Sequence, residues 1–284
     1  MTASLTACMA PAKLNLFLHV VGRRPDGYHL LQSVFQLLDV GDTLDFAVRP
    51  DTRVQRLSSL AGVAAEDDLV VRAARLLQAA TDVQSGADIS VVKRLPMGGG
   101  LGGGSSDAAT TLIALNHLWN TRLSRDQLMQ LGGQLGADVP FFIFGQNAFV
   151  EGIGERMTPV VAPDAWFVVV EPGVAVPTPT IFRSPELTRD TKMVTISDFS
   201  RAPASFGKND LQAVVTDMFP AVAMALDALG KFGEARMTGS GSCVFCAFTC
   251  EGDADQAIAA LGGAWRAWKA KGMDRHPMSQ LIES

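Results

Sequence analysis

Cysteine, net positive charge and long apolar runs are all scarce in this 284-residue chain. Its four cysteines, Cys8, Cys243, Cys246 and Cys250, fit a reducing compartment better than a disulfide framework. Cys243 and Cys246 have the spacing of a metal or redox pair. No second pair or neighbouring histidine completes such a site, and both lie in the apolar run 243–248, which reads as a buried strand. The net charge of −5 leaves no electrostatic footprint for nucleic acid or an anionic membrane. An anionic ligand therefore has to be held by local cations, for which Lys13, Arg23, Arg24, Lys93 and Arg94 are candidates. No run approaches the roughly 18 apolar residues of a membrane span, and residues 1–9 lack both a basic start and a long apolar stretch. A cytoplasmic globular protein is expected, with no nucleic-acid or membrane partner. With 48% hydrophobic residues, the chain can build one large domain or two ordinary ones.

Glycine is where the sequence is generous. Pro96-Met97-Gly98-Gly99-Gly100-Leu101-Gly102-Gly103-Gly104-Ser105-Ser106 sets six glycines in seven positions and then enters a helical pattern. Ala108, Ala109, Leu112, Leu115, Leu118 and Trp119 recur at helical spacing behind a Ser-Ser-Asp start. Glycines let several backbone N–H groups approach a ligand, and a helix beginning near Ser105 adds free amides and partial positive charge. The stretch reads as a phosphate cradle. Gly98, Gly100 and Gly103 also satisfy G-x-G-x-x-G, but the strand leading directly in and the acidic residue about 20 positions later are missing, which argues against a dinucleotide fold. Nor does a Lys-Ser or Lys-Thr pair close it as in a Walker loop.

Elsewhere the period of two over 13–20 turns Lys13 and Asn15 toward one face. Arg23-Arg24-Pro25-Asp26-Gly27 is turn chemistry, with Tyr28 and His29 at its exit. Strands are expected over 30–38 and 43–48, separated by a turn at Gly41-Asp42, and again over 87–92. A helix over 69–80 starts at Asp67-Asp68, and Ser124-x-x-Gln127 is a capping box for the next helix. Asp138 then stands between that helix's end and what reads as an apolar strand. It is either a backbone-bonding residue or a general base, and it is the best-placed carboxylate in the chain. A soft domain boundary near Val160 divides the chain into 1–160 and 161–284. Residues 172–182, rich in proline and threonine, should be irregular. Two helices should fill 211–229, broken at Pro220, and one helix should run from about 253 to 269. Thr238-Gly239-Ser240-Gly241 is a second small-residue loop, read either as a strand entry or as part of an anion site.

Pro11-Ala12-Lys13-Leu14-Asn15-Leu16, the stretch 96–106, Gly136-Ala137-Asp138-Val139-Pro140 and Thr238-Gly239-Ser240-Gly241 together resemble the GHMP kinase superfamily. Asp26-Gly27-Tyr28-His29 and Pro177-Thr178-Pro179 are similar to the branch whose acceptor carries a cytidine diphosphate group. The resemblance implies an α/β, two-domain α+β fold with its active site in the cleft between domains. It implies ATP as co-substrate with Mg²⁺, the glycine loop Pro96, Met97, Gly98, Gly99, Gly100, Leu101, Gly102, Gly103, Gly104, Ser105 and Ser106 on its phosphates, and Ser106 as a metal contact. Asp138 would take the proton of the acceptor hydroxyl, assisted by Lys13. Asn15, Tyr28, His29, Phe35, Thr178 and Phe182 would line the acceptor site. A mevalonate- or homoserine-type acceptor and a dinucleotide-dependent oxidoreductase are the competing readings.

Overall fold

A computed structural model describes residues 3–58, 64 and 66–283. The first half runs β1 (Ser4–Arg23), β2 (His29–Arg49), β3 (Val54–Arg56), α1 (Leu69–Thr81), β4 (Gly86–Val92), α2 (Gly103–Leu118), α3 (Arg125–Gly133), α4 (Val139–Phe144), β5 (Ala148–Gly152) and β6 (Arg156–Pro159). The second half continues β7 (Trp166–Glu171), α5 (Thr178–Arg183), α6 (Ile196–Arg201), α7 (Gln212–Met218), α8 (Pro220–Leu229), β8 (Arg236–Met237), β9 (Val244–Phe248), α9 (Glu251–Leu261), β10 (Arg266–Met273) and α10 (Gln280–Glu283).

β1 and β2 form the central antiparallel ribbon, and β2 also pairs with β4, β5 and the end of β10. β10 carries the sheet into the second half through β7, which pairs in turn with β9. α1 to α4 cover one core with the apolar faces of β2 and β4, including Leu44, Phe46, Ile89, Leu112 and Phe141. α7, α8 and α9 cover a second core with β7 and β9. A third cluster draws Leu14, Phe17, Leu95 and Leu101 from the first half and Phe167, Val169 and Phe245 from the second, so the glycine loop is anchored by Leu95 and Leu101 where the halves share apolar surface. α2 runs through the first core: from Ser106 to Asn116 every residue is buried.

Several local expectations are met. Asp68 caps α1 by accepting from the Val70 N–H, Ser124 and Gln127 form the capping box of α3, and Pro220 separates α7 from α8.

Four expectations need correction. Gly41-Asp42 is no turn: β2 runs straight through it. Gly41 is there for close approach, since a Cβ would lie 2.1 Å from the Ala10 carbonyl oxygen on β1. The apolar stretch after Asp138 is α4, with Pro140 in its first turn, where a missing N–H costs nothing. Residues 172–182 are not wholly irregular, because Pro179 similarly starts α5. The helix expected over 253–269 stops at Leu261, where Gly262 and Gly263 take φ of 63° and 73°, and the chain returns as β10.

Candidate active site

Two adjoining cavities lie along the glycine loop. The smaller, about 450 Å³, is lined by Pro96, Met97, Gly98, Gly99, Gly100, Leu101, Gly102, Gly103, Gly104 and Ser105, with Lys93 and Asp107 beneath. The larger, about 850 Å³, is lined by Lys13, Asn15, Tyr28, His29, Phe35, Asp138, Thr178 and Phe182. Gly100, Gly102, Ser105, Thr178 and Ser240 line both, so the loop is the shared wall. Ser106 lines neither. It is fully buried, and its Oγ has no partner among the described residues.

The loop reaches this position by being stitched at both sides. The Lys13 N–H on β1 donates to the Leu101 carbonyl (3.0 Å), and the Cys243 N–H donates to the Gly99 carbonyl (3.1 Å). Gly98, Gly100 and Gly102 take φ of 70°, 78° and 73°, which an L side chain resists. α2 then starts at Gly103 rather than near Ser105, with Gly102 as its cap, and its free N-terminal amides lie at the cavity.

Lys13 is buried, and its Nζ is 3.5 Å from the half-exposed Asp138 carboxylate. It also donates to Asn15 Oδ1 (2.5 Å) and lies 4.8 Å from the centre of the Phe35 ring. Asn15 is held in turn by Ser33 Oγ (2.9 Å), and its N–H donates to Thr238 Oγ1 (3.0 Å). The expected shared face of Lys13 and Asn15 is therefore real. A bulge between Asn15 and Leu18 then reverses the alternation, so Leu18 lines the cavity while Phe17 packs among Phe149, Phe199 and Phe206. The Asp138 side chain makes no cap hydrogen bond to α4, which leaves it free to act toward the cavity.

At the other end Tyr28 is exposed at the cavity rim, and the His29 and Phe182 rings lie against each other, tilted by 33°, with centres 5.0 Å apart. Burial, followed by the charges of Arg189 and Arg23, lowers the His29 pKa and so favours the neutral ring. Of the second loop, Gly239 and Ser240 line the larger cavity and Ser240 and Gly241 the smaller. Thr238 stands behind them, hydrogen-bonded to the Gly100 carbonyl (3.3 Å). Ser240 Oγ and Thr178 Oγ1 are 2.7 Å apart.

One residue, Asn209, and one set of partners, those of Lys93, were not legible in the sequence. Asn209 donates to the carbonyls of Met237 and Gly239 (both 2.8 Å) and so holds the second loop. Its signal was the Asn-Asp pair just ahead of α7, where it also accepts from the Leu211 N–H (2.9 Å). Lys93 is engaged by Asp42 and, at 2.7 Å, by Asp107. Asp42 also accepts from the N–H groups of Arg94 (2.6 Å) and Leu95 (3.0 Å), fixing the entry to the glycine loop. Of the five cations suggested for an anion, Lys13 and Arg23 line the larger cavity and Lys93 the smaller, while Arg24 pairs with Asp26 (2.7 Å).

Comparison with known proteins matches residues 68–146 to the N-terminal domain of GHMP kinases and residues 195–267 to their C-terminal domain. The chain belongs to the GHMP kinase family. This GHMP kinase is 65% identical, over the full length of both chains, to a 4-diphosphocytidyl-2-C-methyl-D-erythritol kinase of Janthinobacterium sp. (strain Marseille). It is 64% identical to the protein of that name in Herminiimonas arsenicoxydans, over 99% of each chain. A solved 4-(cytidine 5'-diphospho)-2C-methyl-D-erythritol kinase shares its fold with a TM-score of 0.80 at 33% identity, covering 95% of this chain and 99% of that one. The chain is thus an ATP-dependent small-molecule kinase, and the dinucleotide reading falls. The sheet agrees, since β4, which enters the glycine loop, pairs antiparallel with β2 and parallel with β3, while β5, the next strand after the loop and its helices, pairs with β2 and β6 and not in parallel with β4 as a dinucleotide unit requires. No single helix among the described residues is long and apolar enough to cross a membrane.

Proposed function

We propose that this kinase transfers the γ-phosphoryl group of ATP to the 2-hydroxyl of 4-diphosphocytidyl-2-C-methyl-D-erythritol, a step in non-mevalonate isoprenoid precursor synthesis. The observation that carries this is the Lys13–Asp138 pair beside the shared glycine wall, with a phosphate cradle on one side and a ring-lined cavity on the other. Asp138 accepts the hydroxyl proton, the freed oxygen bonds to the γ-phosphorus, the bond from that phosphorus to the bridging oxygen breaks, and ADP leaves. Lys13 orients the carboxylate and offsets negative charge at the reacting centre. Backbone amides of the glycine loop and the start of α2 hold the phosphates, as a reaction that needs positioning and charge stabilisation more than covalent chemistry requires.

Mg²⁺ accompanies ATP in this chemistry, and the described side chains form no dedicated cage for it. No group of three His, Cys, Asp or Glu side chains is placed to hold a metal among the described residues, Asp107 is tied to Lys93, and Ser106 lies outside both cavities. Phosphate oxygens and water are left as its main ligands. We place the domains at 1–160 and 161–284, with the cavities between them. The cytoplasm is the compartment, in keeping with four free cysteines.

The adjoining His29 and Phe182 rings and the exposed Tyr28 suit a flat base, which a mevalonate- or homoserine-type acceptor lacks. The test is ADP release from ATP and Mg²⁺ with the cytidine compound, mevalonate or homoserine as acceptor, with product phosphate position read by ³¹P NMR. Turnover confined to the cytidine compound is the expected result. Turnover with another acceptor keeps the kinase and overturns the acceptor.

A further inference from the structure

Arg189 lies in the segment after α5 and is not among the residues lining either cavity. It nevertheless reaches both rings of the base-binding end. Its Nε donates to His29 Nε2 at 3.1 Å, and its Nη groups donate to the carbonyls of Phe182 (3.1 Å), Ser184 (2.6 Å) and Leu187 (3.0 Å). One half-buried guanidinium thus ties the end of the helix carrying Phe182 to the imidazole that ring lies against, joining a residue of β2 to a residue of the second half.

The contact with His29 fixes more than position. A guanidinium has five N–H donors, no acceptor, and does not deprotonate. A ring nitrogen facing it must present a lone pair, so His29 Nε2 is the unprotonated nitrogen and the single ring proton sits on Nδ1. Nδ1 has no protein partner among the described residues. The imidazole of His29, which lines the larger cavity, therefore carries one N–H donor of fixed tautomer.

Resting on the acceptor proposed above, we infer that Arg189 is a positioning residue for base recognition: it locks His29 as the Nδ1–H tautomer, and that donor selects a pyrimidine with a lone-pair ring nitrogen. Cytosine carries such a lone pair at N3. Uracil carries N–H there, and two donors facing each other in a partly desolvated site leave both unsatisfied. Selection for cytidine over uridine thus depends on a residue that does not touch the base.

The experiment has two arms. In the first, multiple-bond ¹H–¹⁵N spectra of the histidine-labelled enzyme, with His29 assigned from a His29→Gln variant, report which ring nitrogen is protonated at pH 8. The wild type should show Nδ1–H only, and Arg189→Met should show a mixture. An Nε2–H tautomer in the wild type overturns the inference, whether or not any variant folds. In the second, Arg189→Met should raise KM for the cytidine acceptor about 10-fold and reduce the preference for it over its uridine analogue, with kcat and the KM for ATP within about twofold. Equal losses for both substrates, or an unchanged base preference, overturn it. If the wild type shows Nδ1–H but does not turn over the cytidine compound, the acceptor reading fails and base recognition fails with it, while the tautomer assignment stands.

Discussion

Gly98 and Gly100 give a matched pair for testing how the two small-residue loops hold each other. Both take positive φ, 70° and 78°, so alanine at either position carries left-handed strain of about 1–2 kcal/mol. Their surroundings differ. A Cβ on Gly98 would have nothing within 4 Å, whereas one on Gly100 would sit 2.2 Å from the Thr238 carbonyl oxygen, 3.0 Å from its carbonyl carbon and 3.3 Å from the Gly241 nitrogen. All three are backbone atoms and cannot rotate away. To relieve the contact the loops must part by about an ångström, which breaks the bonds from Thr238 Oγ1 to the Gly100 carbonyl and from the Cys243 N–H to the Gly99 carbonyl. At a net ~0.5–1.5 kcal/mol each, these add about 1–3 kcal/mol. Gly98→Ala is therefore expected to cost about 1–2 kcal/mol and Gly100→Ala about 2–5 kcal/mol. At about 2–4 °C per kcal/mol for a chain of this size class, the Tm of Gly100→Ala should lie several degrees below that of Gly98→Ala. Urea unfolding and calorimetry on both variants provide the measurement. Losses equal to within about 0.5 kcal/mol would show that the two loops do not bear on each other as described.

The parts of the site that the sequence announces are those whose chemistry is local. Six glycines in seven positions, the period of two around Lys13 and Asn15, and the turn residues ahead of Tyr28 and His29 each depend on neighbours a few positions away. Those residues come together along the two adjoining cavities. What stayed hidden depends on partners far along the chain. Gly41 reads as a turn because its real constraint, the approach of Ala10 and Pro11, lies 30 residues away. The stretch 139–144 reads as a strand because a six-residue apolar run buried on all sides carries no period to separate helix from strand. Asp107 reads as part of a helix start, whereas it pairs with Lys93 inside the protein, 14 positions back. Arg189 carries no signal at all, since its meaning lies in a histidine 160 residues away.

Four further outcomes follow from the geometry. Asp138→Asn should lower turnover about 10²- to 10⁴-fold while ATP binding, read by titration, stays near wild type; unchanged turnover removes Asp138 from the role of base. Tyr28→Ala should raise KM for the cytidine acceptor about 10-fold or more, from a stacking contribution of about 1–3 kcal/mol, and leave the KM for ATP in place. His276 is buried, and loss of hydration, with Arg125 adding, pushes its pKa down to about 3. The unfolded chain thus takes up this proton first: the residue's stability contribution is complete above pH 6.5 and drains away as pH falls toward 3, and an NMR titration of its ring with a midpoint near 6 would refute this. Finally, Lys93 is one cation shared by two buried carboxylates, so Lys93→Met, which strands Asp42 and Asp107 together, should cost about 3–5 kcal/mol in urea unfolding. Burial already pushes Asp107 up to about 7 in the wild type, with the Asp42 charge adding and Lys93 opposing. Because that folded value lies above the unfolded one, stability from this group is full in acid and is lost as pH rises through 7. The Lys93→Met deficit should therefore be larger at pH 8 than at pH 5, where a proton can take the place of the missing cation, and a deficit independent of pH would mean that the two carboxylates do not depend on Lys93 for their charge.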